Sequence, residues 1–238
     1  MSWSAETVLH SLSATAQSLL DFAIPPFCPL CRDVLAEPSD LPVCFCHACS
    51  VELCGQTGDR CVRCSASVGP FSDTQRGCVH CRSRTLKFRS AVCLGMYSGN
   101  LRQALLSAKW SFSSVQIQSL ARLLALHTSQ QLAAVRVDRI IPIPQHWRQR
   151  LWRHFNPAWL TAQQLSDSLG VPCDIHILRK SRRTRPQKRV SVGQRFDNQK
   201  QSFVVRDAEV IRGQRLLRSE EHTSELQSHS DLVCRLLL

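Results

Sequence analysis

The chain has 238 residues and carries 30 lysines and arginines against 18 aspartates and glutamates, a net charge of +12 with a pI near 9.5. Apolar residues make up 43% of it, which excludes a disordered or collagen-like chain and leaves room for two modest domains or one domain with an appended module. No run reaches the roughly 18 uninterrupted apolar residues that span a bilayer, so no membrane insertion is expected.

Glu6 comes early and no Lys/Arg opening precedes it, so the first residues do not read as a signal peptide and a cytoplasmic location is expected. Val8 to Phe22, within residues 1–26, reads as a helix that packs on the cysteine-rich segment after it. There the texture changes sharply. Ten of the 13 cysteines fall between Cys28 and Cys81, and eight of them form four Cys-x-x-Cys pairs: Cys28/Cys31, Cys46/Cys49, Cys61/Cys64 and Cys78/Cys81. In a reducing compartment such clustering points to metal rather than to disulfides. Fourteen residues separate the first two pairs and thirteen the last two, close to the spacing at which two knuckles close one tetrahedral zinc site.

Residues 27–84 therefore read as a double zinc ribbon holding two structural Zn²⁺ ions, the metal standing in for a core that a stretch so poor in aromatics cannot build. Four thiolates complete the coordination of zinc and leave no position for a substrate. A redox Cys-x-x-Cys pair would want a strand-to-helix turn, which the surrounding Pro, Gly, Ser and Asp residues do not offer. Pairing of the first pair with the third and the second with the fourth is an open alternative. So is Cys44 or Cys54 in place of a ligand.

From about Thr85 to Leu217 apolar segments alternate with turns, as in an α/β domain. Ala91 to Tyr97 predicts a strand. Leu101, Ala104, Leu105 and Ala108 fall at helical spacing, and Ile117, Leu120, Ala121 and Leu124 repeat it. Val137 to Ile143 predicts a short buried strand of a parallel sheet, stopped by Pro142 and Pro144. Asn156-Pro157 is an N-cap followed by proline at the first helical position, and Ala158, Ala162, Leu165 and Leu169 continue one helix face until Gly170. Ile175 and Ile177 alternate as a strand, Phe203 to Val205 predicts another, and a last strand begins near Arg215. Ligands of open α/β sheets sit at the carboxyl ends of strands, which directs attention to the loop after Ile143.

That loop and a later stretch hold the charge. His146, Arg148, Arg150, Arg153 and His154 are interleaved with Trp147 and Trp152; further on, Arg179, Lys180, Arg182, Arg183, Arg185, Lys188 and Arg189 place seven cations in eleven residues. Guanidinium groups grip phosphate oxygens and aromatic rings stack on bases, so phosphate or nucleic-acid binding is one reading and a solvated loop is the other. Cys93, Cys173 and His176 have no activating partner in the sequence and read as structural.

In this order along the chain, the cysteine ribbon, Leu105 to Trp110 with Lys109, Pro142-Ile143-Pro144 followed by Arg150, and Arg153-His154-Phe155-Asn156-Pro157 resemble the ComF family of competence-associated and GntX-type proteins. Arg179, Thr184, Gln187, Arg195, Asn198 and Phe203 fall where that family has its Arg, Thr-x-x-Gln, Arg-x-x-Asn and aromatic positions. The resemblance implies a type I phosphoribosyltransferase-like parallel sheet between helices. It also implies that Lys109, Pro144, Arg150, Arg153, Arg179 and Arg195 face the phosphates of phosphoribosyl pyrophosphate with Mg²⁺, the stretch from Arg179 to Arg195 matching a mobile loop over the site; by their charge, Arg182, Arg183, Arg185, Lys188 and Arg189 are expected to meet nucleic acid. The function it implies is DNA uptake in transformation, with single-stranded DNA or a competence protein as partner; an active transferase is the alternative.

After Leu217 the resemblance stops. The family continues into two adjacent aspartates and a Thr-Thr-Gly-x-Thr loop, whereas here residues 218–238 resemble the translation of a sequencing-library adapter. That segment holds four carboxylates against two arginines, so the rest is more basic than the whole. The expectation is a non-native tail, a sheet left incomplete with open edges, and no transferase activity in this chain.

Overall fold

The computed structural model describes residues 27–35, 45–54, 59–110, 114–147, 155–185, 190–222 and 231–237; the side chains of 109, 110, 192, 195, 196, 220–222 and 231–237 are excepted. The helix expected over Val8 to Phe22 lies outside these residues, as does Cys44. In chain order the elements are α1 (His47–Cys54), β1 (Ser90–Cys93), α2 (Gly99–Trp110), α3 (Val115–Val135), β2 (Arg139–Pro142), α4 (Pro157–Leu169), β3 (Leu178–Lys180), α5 (Arg195–Gln199), β4 (Phe203–Val205), β5 (Leu216–His222) and β6 (Asp231–Leu237).

The helical periodicities are met side chain by side chain. Leu101, Ala104, Leu105 and Ala108 of α2 are buried, as are Ile117, Leu120, Ala121 and Leu124 of α3, because each set lines one stripe of its helix. In α4 the Asn156 side chain accepts from the Ala158 N–H at 3.1 Å, Pro157 starts the helix, and Gly170 closes it. Asn156 also donates to the Ile143 carbonyl at 3.1 Å, which ties the loop after β2 to the start of α4. α3 and α4 pack on each other, α4 covers β2 and β5, and the shared core is built on Leu94, Leu120, Leu124, Ile140, Leu165 and Leu217.

A four-stranded sheet has the order β1-β6-β5-β2. β2 and β5 pair in parallel, while β6 runs antiparallel to both β5 and β1. The fold is thus mixed α/β with a small parallel component, where a wholly parallel sheet was expected. β5 does not stop at the expected boundary: it runs through Leu217 to His222, the Ser219 hydroxyl donates to the Ala158 carbonyl at 3.0 Å, and the Ile143 N–H donates to the Ser219 carbonyl at 3.0 Å. β6 then fills the gap between β5 and β1. Backbone pairing asks little of side chains, so an extended apolar segment takes up edges that would otherwise stand open.

The strand expected at Ile175 and Ile177 is absent. The chain leaving α4 touches β2 through one parallel bridge, Ile140 to Cys173, and then bends. The cause is Asp174, whose carboxylate accepts from the N–H groups of His176 at 2.9 Å and Ile177 at 3.3 Å, a local alternative to the ladder. Pairing resumes at β3, which forms a separate antiparallel hairpin with β4.

Candidate functional site

The cysteines form two quartets, Cys28, Cys31, Cys46 and Cys49 in one and Cys61, Cys64, Cys78 and Cys81 in the other, with the four sulfurs of each within 4.8 Å of one another. Sequential pairing is therefore what the chain adopts, and Cys54 lies outside both quartets.

The first halves of the two quartets are the same object, 33 residues apart. An antiparallel bridge joins Phe27 to Val34 and another joins Arg60 to Ser67. The Cys28 N–H donates to the Asp33 carbonyl at 2.8 Å, and the Cys61 N–H to the Ala66 carbonyl at 2.9 Å. Arg32 and Ser65, each following the second cysteine, stand in the left-handed region at φ 66° and 60° and donate back to the carbonyls of Cys28 and Cys61. Neither is a glycine, so this turn carried no signal of its own in the sequence.

The second halves differ. Cys46 sits just before α1 and Cys49 in its first turn, where a thiolate gains from the helix N-terminus; the Cys49 N–H lies 3.5 Å from the Cys46 sulfur. Cys78 and Cys81 are instead held by tight turns, the N–H groups of Cys81 and Arg82 donating to the Cys78 carbonyl at 3.0 and 2.9 Å. Gly77 makes that turn possible. Its φ is +93°, and a Cβ there would come within 2.9 Å of the Cys81 sulfur.

The donor set fits zinc. Four thiolates at a Zn–S bond of ~2.3 Å in a tetrahedron stand ~3.8 Å apart, and the sulfurs lie at 3.7 Å for Cys31 and Cys46, 3.7 Å for Cys61 and Cys81, 3.6 Å for Cys64 and Cys78, and 3.9 Å for Cys78 and Cys81. Charge points the same way. At Cys28 burial works against ionisation, but the N–H groups of Cys31, Cys46 and Leu30 prevail and bring the thiol down to about 7. At Cys61 burial is likewise outweighed, by Cys64, Arg63 and Cys78, again to about 7. Cys31 has the Asp33 N–H in favour of its thiolate, yet desolvation and the Cys28 thiol push it up to about 11. Burial first, then the neighbouring sulfurs, pushes Cys49 and Cys64 upward. Cys28 and Cys61 so favour the thiolate while Cys31, Cys49 and Cys64 resist it, a penalty that a divalent cation among the sulfurs removes.

The first quartet is continuous with the main core: Cys28, Cys49 and Leu53 cluster with Leu94, Leu101 and Ala104. Gly95 allows this, since a Cβ there would lie 3.0 Å from the Leu53 carbonyl and 2.8 Å from Leu101. The second quartet has a cluster of its own with Ala66, Val68 and Leu86. It reaches the sheet through Arg60, which donates to the Cys93 sulfur at 2.9 Å, and through the Ser65 hydroxyl, 3.2 Å from the same sulfur.

Of the residues expected at phosphate, Pro144 follows β2 half-buried and Arg179 is exposed on β3, in the separate hairpin. Lys109 lies on α2 and Arg195 on α5, by backbone position alone, while Arg150 and Arg153 lie outside the described residues. Trp147 is exposed beside a buried His146, and Trp152 lies outside the described residues. A cavity of about 250 Å³, lined by Arg89, Ser90, Ala134, Val135 and Arg215, opens at the amino ends of β1, β2 and β5, away from the loop after β2. Arg215 is already engaged there by Asp138 at 3.2 Å and by the Val135 carbonyl at 3.2 Å.

The basic stretch divides its labour. Arg182 donates to the carbonyls of Asn198 and Lys200 at 3.1 and 3.0 Å, and Asn198 in turn accepts from the Arg185 N–H at 3.2 Å and donates to the Arg185 carbonyl at 2.9 Å. Arg182, exposed like its neighbours, is thus tied to the backbone of residues 198 and 200. Lys180 stacks its ammonium 5.4 Å from the Phe203 ring, and burial, then Arg182, lowers its pKa. Arg183 and Arg185 point their side chains to solvent, and Lys188 and Arg189 lie outside the described residues. Cys173 is pushed up to about 11 by burial and by Asp174 and Asp167, which leaves it an unreactive thiol. Among the described residues no helix is long and apolar enough to cross a membrane. No known family, curated protein or solved structure matches the chain.

Proposed function

We propose that the chain is a ComF-type protein of DNA uptake, a double zinc ribbon on a phosphoribosyltransferase-like α/β domain that binds single-stranded DNA through its basic loop. The observation that carries this reading is the braced loop itself. Two side-chain clamps, Arg182 on the carbonyls of residues 198 and 200 and Asn198 on the backbone of Arg185, fix a turn that presents Arg183 and Arg185 outward. A turn held in place at residues 182–185 loses less entropy when it grips a phosphate backbone.

Residues 27–84 supply two zinc sites that hold the ribbon in shape. Zinc with four thiolates has no open position, so its contribution is structural. Residues 214–238 hold no glycine and so do not themselves supply the Thr-Thr-Gly-x-Thr loop that would receive a phosphate; Mg²⁺-dependent transfer from phosphoribosyl pyrophosphate is the second reading.

The test is titration of a fluorescent single-stranded oligonucleotide at several salt concentrations. Affinity is expected to fall with a log–log slope of about −0.7 per phosphate neutralised. Arg183→Gln should flatten that slope, while Arg182→Gln should weaken binding through a loosened loop. Binding that is absent, or indifferent to salt, discards the proposal.

A further inference from the structure

The two quartets differ in what they offer to solvent. All four cysteines of the second are buried, whereas in the first Cys31 is exposed and Cys46 half-buried. The sulfurs of Cys31 and Cys46 stand 3.7 Å apart, which is contact distance for two sulfur atoms. Cys28 and Cys49 lie behind them, 0% and 7% exposed, as part of the main core. The first quartet thus has an open half that oxidants reach and a closed half that they do not.

We propose that Cys31 and Cys46 form an oxidant-sensitive pair: a peroxide converts them to a disulfide and releases the zinc of the first quartet, while the second quartet keeps its metal. The inference rests on the two-zinc reading above. The Cys31 thiolate attacks one peroxide oxygen, the O–O bond breaks, and hydroxide leaves a sulfenic acid on Cys31. The Cys46 thiolate then attacks that sulfur and displaces a second hydroxide. Two thiolates are oxidised by two electrons, hydrogen peroxide is reduced, and two protons complete two waters. The zinc has then lost two of its four ligands and passes to solvent. A small-molecule thiol with zinc reverses the change, because a disulfide lies on the reversible part of the cysteine oxidation ladder.

The experiment uses the full chain with its metal counted by mass spectrometry, hydrogen peroxide as oxidant and a chromogenic zinc chelator as reporter. The expected course is one equivalent of zinc released about tenfold or more faster than the second, since access governs thiolate oxidation. Peptide mapping at the end of the first phase should find Cys31 joined to Cys46, and dithiothreitol with zinc should restore the starting state. Cys31→His retains a zinc ligand but cannot form the disulfide, so its first equivalent should leave at the rate of the second. A chain carrying two zinc ions that leave together, or whose first disulfide joins other cysteines, overturns the inference and spares the metal reading. A chain that binds no zinc at all overturns both. Should Cys31→His fail to load, the mapping of the unaltered chain decides alone.

Discussion

Cys28-x-x-Cys31 and Cys61-x-x-Cys64 close the same knuckle with the same hydrogen bonds, yet the quartets they begin are attached to the molecule in different ways. The first is completed from α1, whose Leu53 is 1% exposed and packs with Leu94 and Leu101, so metal and main core share one boundary. The second is completed from a turn, makes its own small cluster, and meets the sheet at Arg60 and Cys93. The difference teaches that a repeated motif in sequence does not imply a repeated role. The knuckle is a local unit, and the segment that completes its quartet decides whether the metal supports the domain or only itself.

Loss of a ligand puts the largest strain on this comparison. Cys49→Ser removes a sulfur that is also a core side chain, and Cys78→Ser removes one that belongs to the separate cluster. A structural zinc site of this type is worth on the order of 10 kcal/mol of apparent binding energy. For Cys49→Ser the damage should spread through Leu53 to β1 and α2 and lower the Tm of the whole domain by roughly 10 °C or more. For Cys78→Ser it should stay within residues 59–84, seen as faster amide exchange there with the main transition in place. Equal losses of Tm in the two variants would sink the distinction.

Two glycines sharpen it at smaller scale. Gly95→Ala brings a methyl group against the Leu53 carbonyl and Leu101, and overpacking of this kind costs about 1–3 kcal/mol. Gly77→Ala forces a side chain into positive φ beside the Cys81 sulfur, at a comparable cost of about 1–3 kcal/mol. The expected readouts separate: Gly95→Ala lowers domain stability in urea with two zinc ions still bound, and Gly77→Ala weakens the second zinc against a competing chelator with little change in the urea midpoint. The reverse pattern would mean that α1 is docked loosely and the turn before Cys78 tolerates strain.

How much of this is legible in the sequence depends on the range over which each interaction acts. α2, α3 and α4 are readable because their apolar stripes repeat within the helix, and the cap at Asn156 and the stop at Gly170 are local chemistry. The four Cys-x-x-Cys pairs are readable for the same reason. Ile175 and Ile177 mislead because alternation says nothing of the Asp174 carboxylate beside them, which accepts from the backbone N–H of Ile177. Arg182 cannot be told from Arg183 by charge, since the difference lies in carbonyls some sixteen residues on. β6 escapes altogether: it joins the sheet by backbone hydrogen bonds, to β5 just before it and to β1 far earlier in the chain.

The smallest expected effect concerns a charged arm that the second knuckle extends toward the helices. His127 of α3 has its pKa lowered, by desolvation first and by the positive charge of Arg60 second. A histidine whose folded pKa lies below its ordinary ~6.5 binds fewer protons folded than unfolded, so stability rises with pH across the interval between the two values and is level above it. Acidification below pH ~6.5 should therefore cost a little stability, and His127→Gln should remove that part of the pH dependence. Because His127 is exposed and screened, the change is expected to stay under about 2 °C in Tm. Arg60→Gln tests the origin of the effect. It removes the repulsion and should raise the histidine's pKa in proton NMR titrations, while also removing the guanidinium donor from the Cys93 sulfur. If the titration of His127 is indifferent to that substitution, Arg60 holds the knuckle only by its bond to Cys93, and the second quartet is still more independent of the helices than the charge on α3 implies.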